Sequence, residues 1–318
     1  MQGTYSLTLV TLSLLIAMLA SYTVLDLTAF ISFLERPRVK HAWLAGGALA
    51  MGIGIWSMHF VGMLAFSLPI PMGYDLRITA ASLALAVLIS YFALNVVISP
   101  QLTRPRLLIG GVLMGCGIAG MHYMGMAAMQ MTPGIVYTSS MVVDSVCIAI
   151  VASTAALWLA NALSAPSRRH VLIKRLGAAA VMGIAITGMH YTGMGAANFL
   201  PGAVCGAAKG VNPQWLATTV VMFTLATLIA ALVLSRFDAR TSFLRRMTLT
   251  LEEQITRRTG ELHGVMDHHH QTTKVLHASR AQLERELAER KLVQARLEKE
   301  IEAQRRLIDE LQSHRQAN

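Results

Sequence analysis

Three histidines, His59, His122 and His190, stand in one recurring pattern. The stretches Met51–Met63, Met114–Met126 and Met182–Met194 align without a gap, each with Met-Gly at its start, Met-His-aromatic near its end and Gly-Met after that. In a helix, a methionine four positions after a histidine lies about 40° round the axis and one turn further on. His59 with Met63, His122 with Met126 and His190 with Met194 therefore each share a face. Imidazole and thioether are borderline-to-soft ligands, suited to copper far better than to magnesium or calcium. The preceding Met58, Met121 and Met189 lie about 100° away and read as packing residues. Gly62, Gly125 and Gly193 flank the histidines on the same broad face, where missing bulk lets a neighbouring helix or a small diatomic molecule approach.

Lipid must be the solvent of the elements that carry these residues. Of 318 residues, 54% are hydrophobic and 14% charged, more apolar surface than a soluble globule of this size buries. The net charge of +10 comes from short loops and the C-terminal tail, so it reads as membrane topology and a solvated helix face rather than nucleic-acid binding. Spanning the hydrocarbon takes about 20 apolar residues. Seven stretches qualify, near 5–33, 42–66, 78–98, 107–130, 142–163, 176–198 and 215–235, the first too long for a cleaved signal peptide. Basic residues follow the odd spans, for example Arg36, Arg38, Lys40, Arg104, Arg106, Arg168, Arg169, Lys174, Arg175, Arg236 and Arg240. The positive-inside rule then places the N-terminus outside and the C-terminus in the cytoplasm. Cys116, Cys147 and Cys205 have no metal-type spacing; the last two fall near the outer face, where a disulfide between them is open.

The odd spans repeat as well, more loosely: Ser21-Tyr22-Thr23-Val24-Leu25-Asp26 aligns with Ser90-Tyr91-Phe92-Ala93-Leu94-Asn95 and with Ser153 to Trp158. The fold class is all-α: a seven-helix transmembrane bundle of three repeated helical hairpins plus a lone seventh helix. All three motif helices run the same way, which puts the histidines at one depth in the outer half of the bilayer. A lone histidine in a helix is ordinarily structural, and methionine is a routine gap filler. Three copies at one depth shift the weight to a shared metal site, because ionisable residues inside a membrane are costly. Haem is the competing cofactor, without an attachment motif such as Cys-x-x-Cys-His to support it. Asp26 and Asn95 are candidates for a signal relay or proton path, against the plainer reading of an interhelical hydrogen bond.

The repeated Met-His-Tyr-x-Gly-Met pattern, with Met-His-Tyr-Thr at 189–192, resembles the MHYT sensor domain of bacterial signalling proteins over about residues 5–235. The resemblance implies a helical domain of the bacterial inner membrane that binds copper and senses oxygen, carbon monoxide or nitric oxide. It also implies a cytoplasmic output, such as a cyclic-di-GMP synthase or phosphodiesterase or a histidine kinase. The first copy departs from the pattern, with Phe60 in place of tyrosine.

Residues 1–235 thus read as the membrane sensor and 236–318 as a cytoplasmic helical linker. From Leu276 onward an approximate heptad puts Leu276, Leu283, Leu297 and Leu311 at d and Leu287, Ile301 and Ile308 at a, a pattern that favours a parallel homodimeric coiled coil. Arg280, Arg290, Gln294 and Gln304 interrupt the seam. No nucleophile–base pair, paired carboxylates or nucleotide motif appears, so the chain reads as an input module rather than an enzyme. The alternative is a copper transporter or channel, which would spread polar residues along a path; the inner half offers little beyond Asp26 and Asn95.

Overall fold

The computed structural model describes residues 3–32, 34, 36–99, 102–163, 171–208 and 213–316. Arg168 and Arg169, used above for topology, lie outside them, as do the side chains of Ile308 and Leu311. Seven helices form among the described residues: α1 (Leu7–Ser32), α2 (Pro37–Ala65), α3 (Leu76–Val97), α4 (Arg104–Ala127), α5 (Ser139–Ala162), α6 (Val171–Gly195) and α7 (Pro213–Gln316). All seven include a stretch long and apolar enough to cross a membrane, in α7 the part Trp215–Asp238. Helices α2 to α7 begin two to five residues before their apolar stretches do. Pro37 and Pro105 occupy first-turn positions of α2 and α4, where the missing N–H costs nothing, and the Asp75 carboxylate caps α3 through the N–H groups of Arg77 and Ile78.

Helices α1 to α6 close into a ring in which each packs on its sequence neighbours and α6 returns to α1. Helix α2 is the most enclosed, buried along most of its length. The apolar span of α7 packs through Leu228 against Ala20 of α1 and Ala50 of α2. Residues 1–241 form one compact unit and 242–318 a second, which is helical as far as Gln316 with its apolar side chains, such as Leu276, Leu283, Leu297 and Ile301, exposed in the single chain.

Three two-stranded antiparallel ribbons, absent from the sequence reading, join the ends of the motif helices to other connections: β1 (Thr4–Tyr5) with β2 (Phe66–Ser67), β3 (Met131–Thr132) with β6 (Val204–Cys205), and β4 (Val136–Tyr137) with β5 (Ala197–Asn198). Two-residue strands carry no alternation a pattern search can find. All three cysteines are free: Cys116 and Cys147 are exposed, while the buried Cys205 thiol donates to the carbonyls of Met129 and Gly73. The Cys147–Cys205 disulfide left open above does not form.

Candidate metal centre

Each histidine sits near the C-terminal end of its helix, so α2, α4 and α6 deliver all three to one level. They meet on the bundle axis. His59 Nδ1 lies 3.1 Å from His190 Nδ1 and 3.1 Å from His122 Nδ1, and the rings pack edge to face with centroids 4.9–5.1 Å apart. The three residues are 0–1% exposed. They form the one cluster of three or more His, Cys, Asp or Glu ligand atoms among the described residues that could hold a metal ion.

The second ring nitrogens explain the glycines. His59 Nε2 of α2 occupies the space a side chain would need at Gly125 of α4; His122 Nε2 does the same at Gly193 of α6, and His190 Nε2 at Gly62 of α2. The relation is cyclic, each helix supplying one imidazole and the notch for another. Every Nε2 is buried without a hydrogen-bond partner, an arrangement that normally calls for explanation.

A layer of aromatic side chains covers the cluster, again in threefold repetition. Tyr123 and Tyr191 stand edge-on to the histidines before them, with centroids 4.8 Å apart in both cases. Tyr123 donates its hydroxyl to Ser145 at 2.7 Å and Tyr191 to Ser13 at 3.1 Å, since each serine hydroxyl is itself donated to a carbonyl three residues back. The first copy has Phe60 and no phenol; there the Trp56 indole donates to the matching Ser82 at 3.0 Å. Above them sit the loop tyrosines Tyr137 on Tyr123, Tyr5 on Tyr191 and Tyr74 on Phe60, with centroids 4.8–5.7 Å apart. Burial raises all three loop phenols above the ordinary tyrosine range, that of Tyr137 to about 12, with Tyr123 adding to the shift. They are neutral at physiological pH. Neither the serines nor the loop tyrosines were singled out from sequence, although Tyr5, Tyr74 and Tyr137 each stand eight residues before Ser13, Ser82 and Ser145.

Met63, Met126 and Met194 follow their histidines by one turn and are 0–4% exposed. Met58, Met121 and Met189 are buried too, and Met58 and Met189 face a cavity on the far side of the histidines from the loops. Asp26 and Asn95, aligned in sequence, do not meet. Asn95 Nδ2 donates to the Tyr91 carbonyl of its own helix. Asp26 is the centre of a different site: its carboxylate takes Arg175 of α6 at 2.9 Å, Arg236 of α7 at 2.9 Å and the Ser235 hydroxyl at 3.3 Å, and Arg236 also donates to Tyr22. One carboxylate ties α1, α6 and α7 together.

The histidine cluster could hold a metal ion. Imidazole nitrogens are ligands for copper, zinc, iron or nickel. The Nδ1 atoms of His59, His122 and His190 would hold such an ion, that of His59 standing 3.1 Å from each of the other two. Ligation through Nδ1 leaves the hydrogen on Nε2, which then faces the neighbouring helix at its glycine notch.

The family model for the bacterial signalling protein N-terminal repeat, MHYT, matches residues 52–110 and 115–173, which hold His59 and His122. His190 lies beyond both segments, yet its side chain completes the cluster. The chain is 53% identical over 261 residues, 82% of its length, to the bifunctional diguanylate cyclase/cyclic di-GMP phosphodiesterase MucR of Pseudomonas aeruginosa. It is 43% identical over 197 residues to the signalling protein YkoW of Bacillus subtilis, and 41% identical over 194 residues to the cyclic di-GMP phosphodiesterase NbdA of Pseudomonas aeruginosa. The chain spans 37% of the length of MucR and 24% of YkoW and of NbdA. No solved structure matches it. With two copies of the repeat matched and a third in register, this multi-pass membrane chain belongs to the MHYT family of bacterial signalling proteins.

Proposed function

We propose that the chain is a membrane input module in which a copper ion held by His59, His122 and His190 responds to a diatomic gas, oxygen, carbon monoxide or nitric oxide, or to redox state. The convergence of three buried Nδ1 atoms carries this reading. Met63, Met126 and Met194 are the further ligands, one turn on from the imidazoles; thioether donors favour copper over zinc. Bound copper would supply a redox-active centre that responds to a small ligand. The protein's own residues fix the three rings edge to face, seat each Nε2 in a glycine notch and exclude water beneath the aromatic layer. Haem fits less well, because imidazoles packed at 4.9–5.1 Å leave no room for a porphyrin among them. A copper channel fits less well too, since the cavity beyond the histidines is walled by Ile55, Ile118 and Ile186.

In this reading the histidines lie in the outer half of the bacterial inner membrane, with residues 1–235 as sensor and 236–318 as linker. A change at the metal alters packing of α2, α4 and α6; Asp26, bonded to both α6 and α7, passes it to a parallel dimeric coil and on to a cyclic-di-GMP or kinase output, in the same chain or a partner. The names of MucR and NbdA support a cyclic-di-GMP output. The test is metal analysis with an optical spectrum of purified protein, wild type and with His122→Ala plus His190→Ala. Copper in the wild type and none in the folded double variant is expected. Stoichiometric iron with a Soret band, or copper unchanged in the variant, sinks the proposal.

A further inference from the structure

A cavity of about 40 Å³ lies on the bundle axis directly beyond the histidines. The three motif helices wall it in register: Ile55, Ile118 and Ile186 each stand four residues before a histidine, and Met51, Met114 and Met182 each stand eight before. Small residues on α1 and α5, among them Ala17 and Ala149, leave the space open between those helices. Its wall holds no ionisable side chain. Two wall groups are polar, the Ser21 and Ser153 hydroxyls. The Ser21 hydroxyl is 3% exposed and has no hydrogen-bond partner, whereas Ser90, its counterpart in the next repeat, donates to the Ala86 carbonyl at 2.7 Å.

These features select a guest. An ion finds no charge there, and an ordered water needs two to four polar partners where two hydroxyls, one on α1 and one on α5, are all that an otherwise apolar wall offers. A benzene-sized guest takes a cavity of about 150 Å³, so 40 Å³ suits two or three heavy atoms. We infer that this cavity is a dock for a small uncharged gas molecule, held by apolar contact with the Ser21 and Ser153 hydroxyls as its only polar groups, within about one helical turn of the histidine cluster. The dock exists whether or not a metal is bound; only its signalling consequence rests on the function proposed above. A gas held there would meet the metal centre from inside the bundle rather than through the aromatic layer.

Xenon is the probe, used on metal-free protein so that failure of the dock is distinct from failure of the metal site. The protein carries 13C-methyl methionine in detergent micelles, and its methyl spectrum is followed under xenon pressure. Saturable shifts are expected at Met51, Met58, Met114, Met182 and Met189, which line the cavity, and not at Met63 or Met126. Ala149→Leu and Ala17→Leu fill it from opposite walls, and whichever retains the helical signal and cooperative melting of the wild type should lose the shifts. If both misfold, the contrast between lining and distant methionines in the wild type decides. Non-saturable shifts of equal size at all methionines, shifts that survive in a folded filled variant, or magnetisation transfer from a resident water to the lining methyls would each overturn the inference.

Discussion

The imidazole of His59 fills the place where residue 125 would carry a side chain, and that residue is glycine. Its backbone and the ring are both buried, so a methyl at 125 cannot be met by the swing of a flexible chain end. Gly125→Ala should therefore displace His59, costing about 1–3 kcal/mol as overpacking does and lowering the metal content of purified protein severalfold. Gly188→Ala is the control: nothing lies within 4 Å of its added Cβ, and alanine is the better helix former by about 1 kcal/mol. Equal metal-to-protein ratios in the two variants would show that the notch does not position the ring.

Asp26 makes a prediction about stability and coupling together. Arg175 is 15% exposed and Arg236 60%, so removal of the carboxylate strands one largely buried guanidinium while the other reaches solvent. Breaking a fully buried pair costs about 3–5 kcal/mol; Asp26→Ala should cost about 2–3, read as a lower melting temperature. Arg236→Ala should cost less than half of that. Should the relay hold, both variants also uncouple an output domain fused after residue 318 from the metal state. A fusion whose output still follows the metal in both variants would remove Asp26 from the pathway.

The histidine cluster was legible because the three repeats share one spacing, and equal spacing in helices of equal direction forces equal depth. The seven spans were legible for the same reason that lipid selects them, long runs without charge. The partners of Asp26 were not legible. Sequence alignment pairs it with Asn95 through the repeat, but a repeat relates equivalent positions around an axis, and equivalent positions face different neighbours: Asp26 faces the unrepeated α7, whereas Asn95 bonds within α3. The role of the glycines was half legible. Their small size could be read as close approach, but that the approaching group is another repeat's imidazole depends on how the ring of helices closes.

Alkaline pH should loosen the aromatic layer. The Tyr137 phenol stands near 12 in the folded protein against 10.0 for a free one. A group whose folded value is raised favours the fold in its protonated form, so its contribution is complete below 10 and is lost as pH rises towards 12. Thermal melts across that window should show a steeper fall for wild type than for Tyr137→Phe, which has no proton to lose there. Parallel curves would mean that the phenol ionises equally well in both states.

The last prediction concerns the C-terminal helix. Leu276, Leu283, Leu287, Leu297 and Ile301 are each more than half exposed in the single chain, a row of apolar groups that water would not tolerate at no cost. With leucine at d and leucine or isoleucine at a, a second parallel copy is the partner that covers such a row. Cysteine at Leu297 should cross-link between subunits, and cysteine at Glu298, one step off the seam, should do so poorly. The background must first lose Cys116, Cys147 and Cys205; serine is the replacement to use at 205, because the buried thiol donates to two carbonyls and a hydroxyl preserves a donor. Strong cross-linking at 297 with little at 298 identifies the seam, and its dependence on metal loading in the intact protein reports whether the seam moves with the signal. Equal yields at both positions, in membranes as in mild detergent, would reduce the helix to a tether.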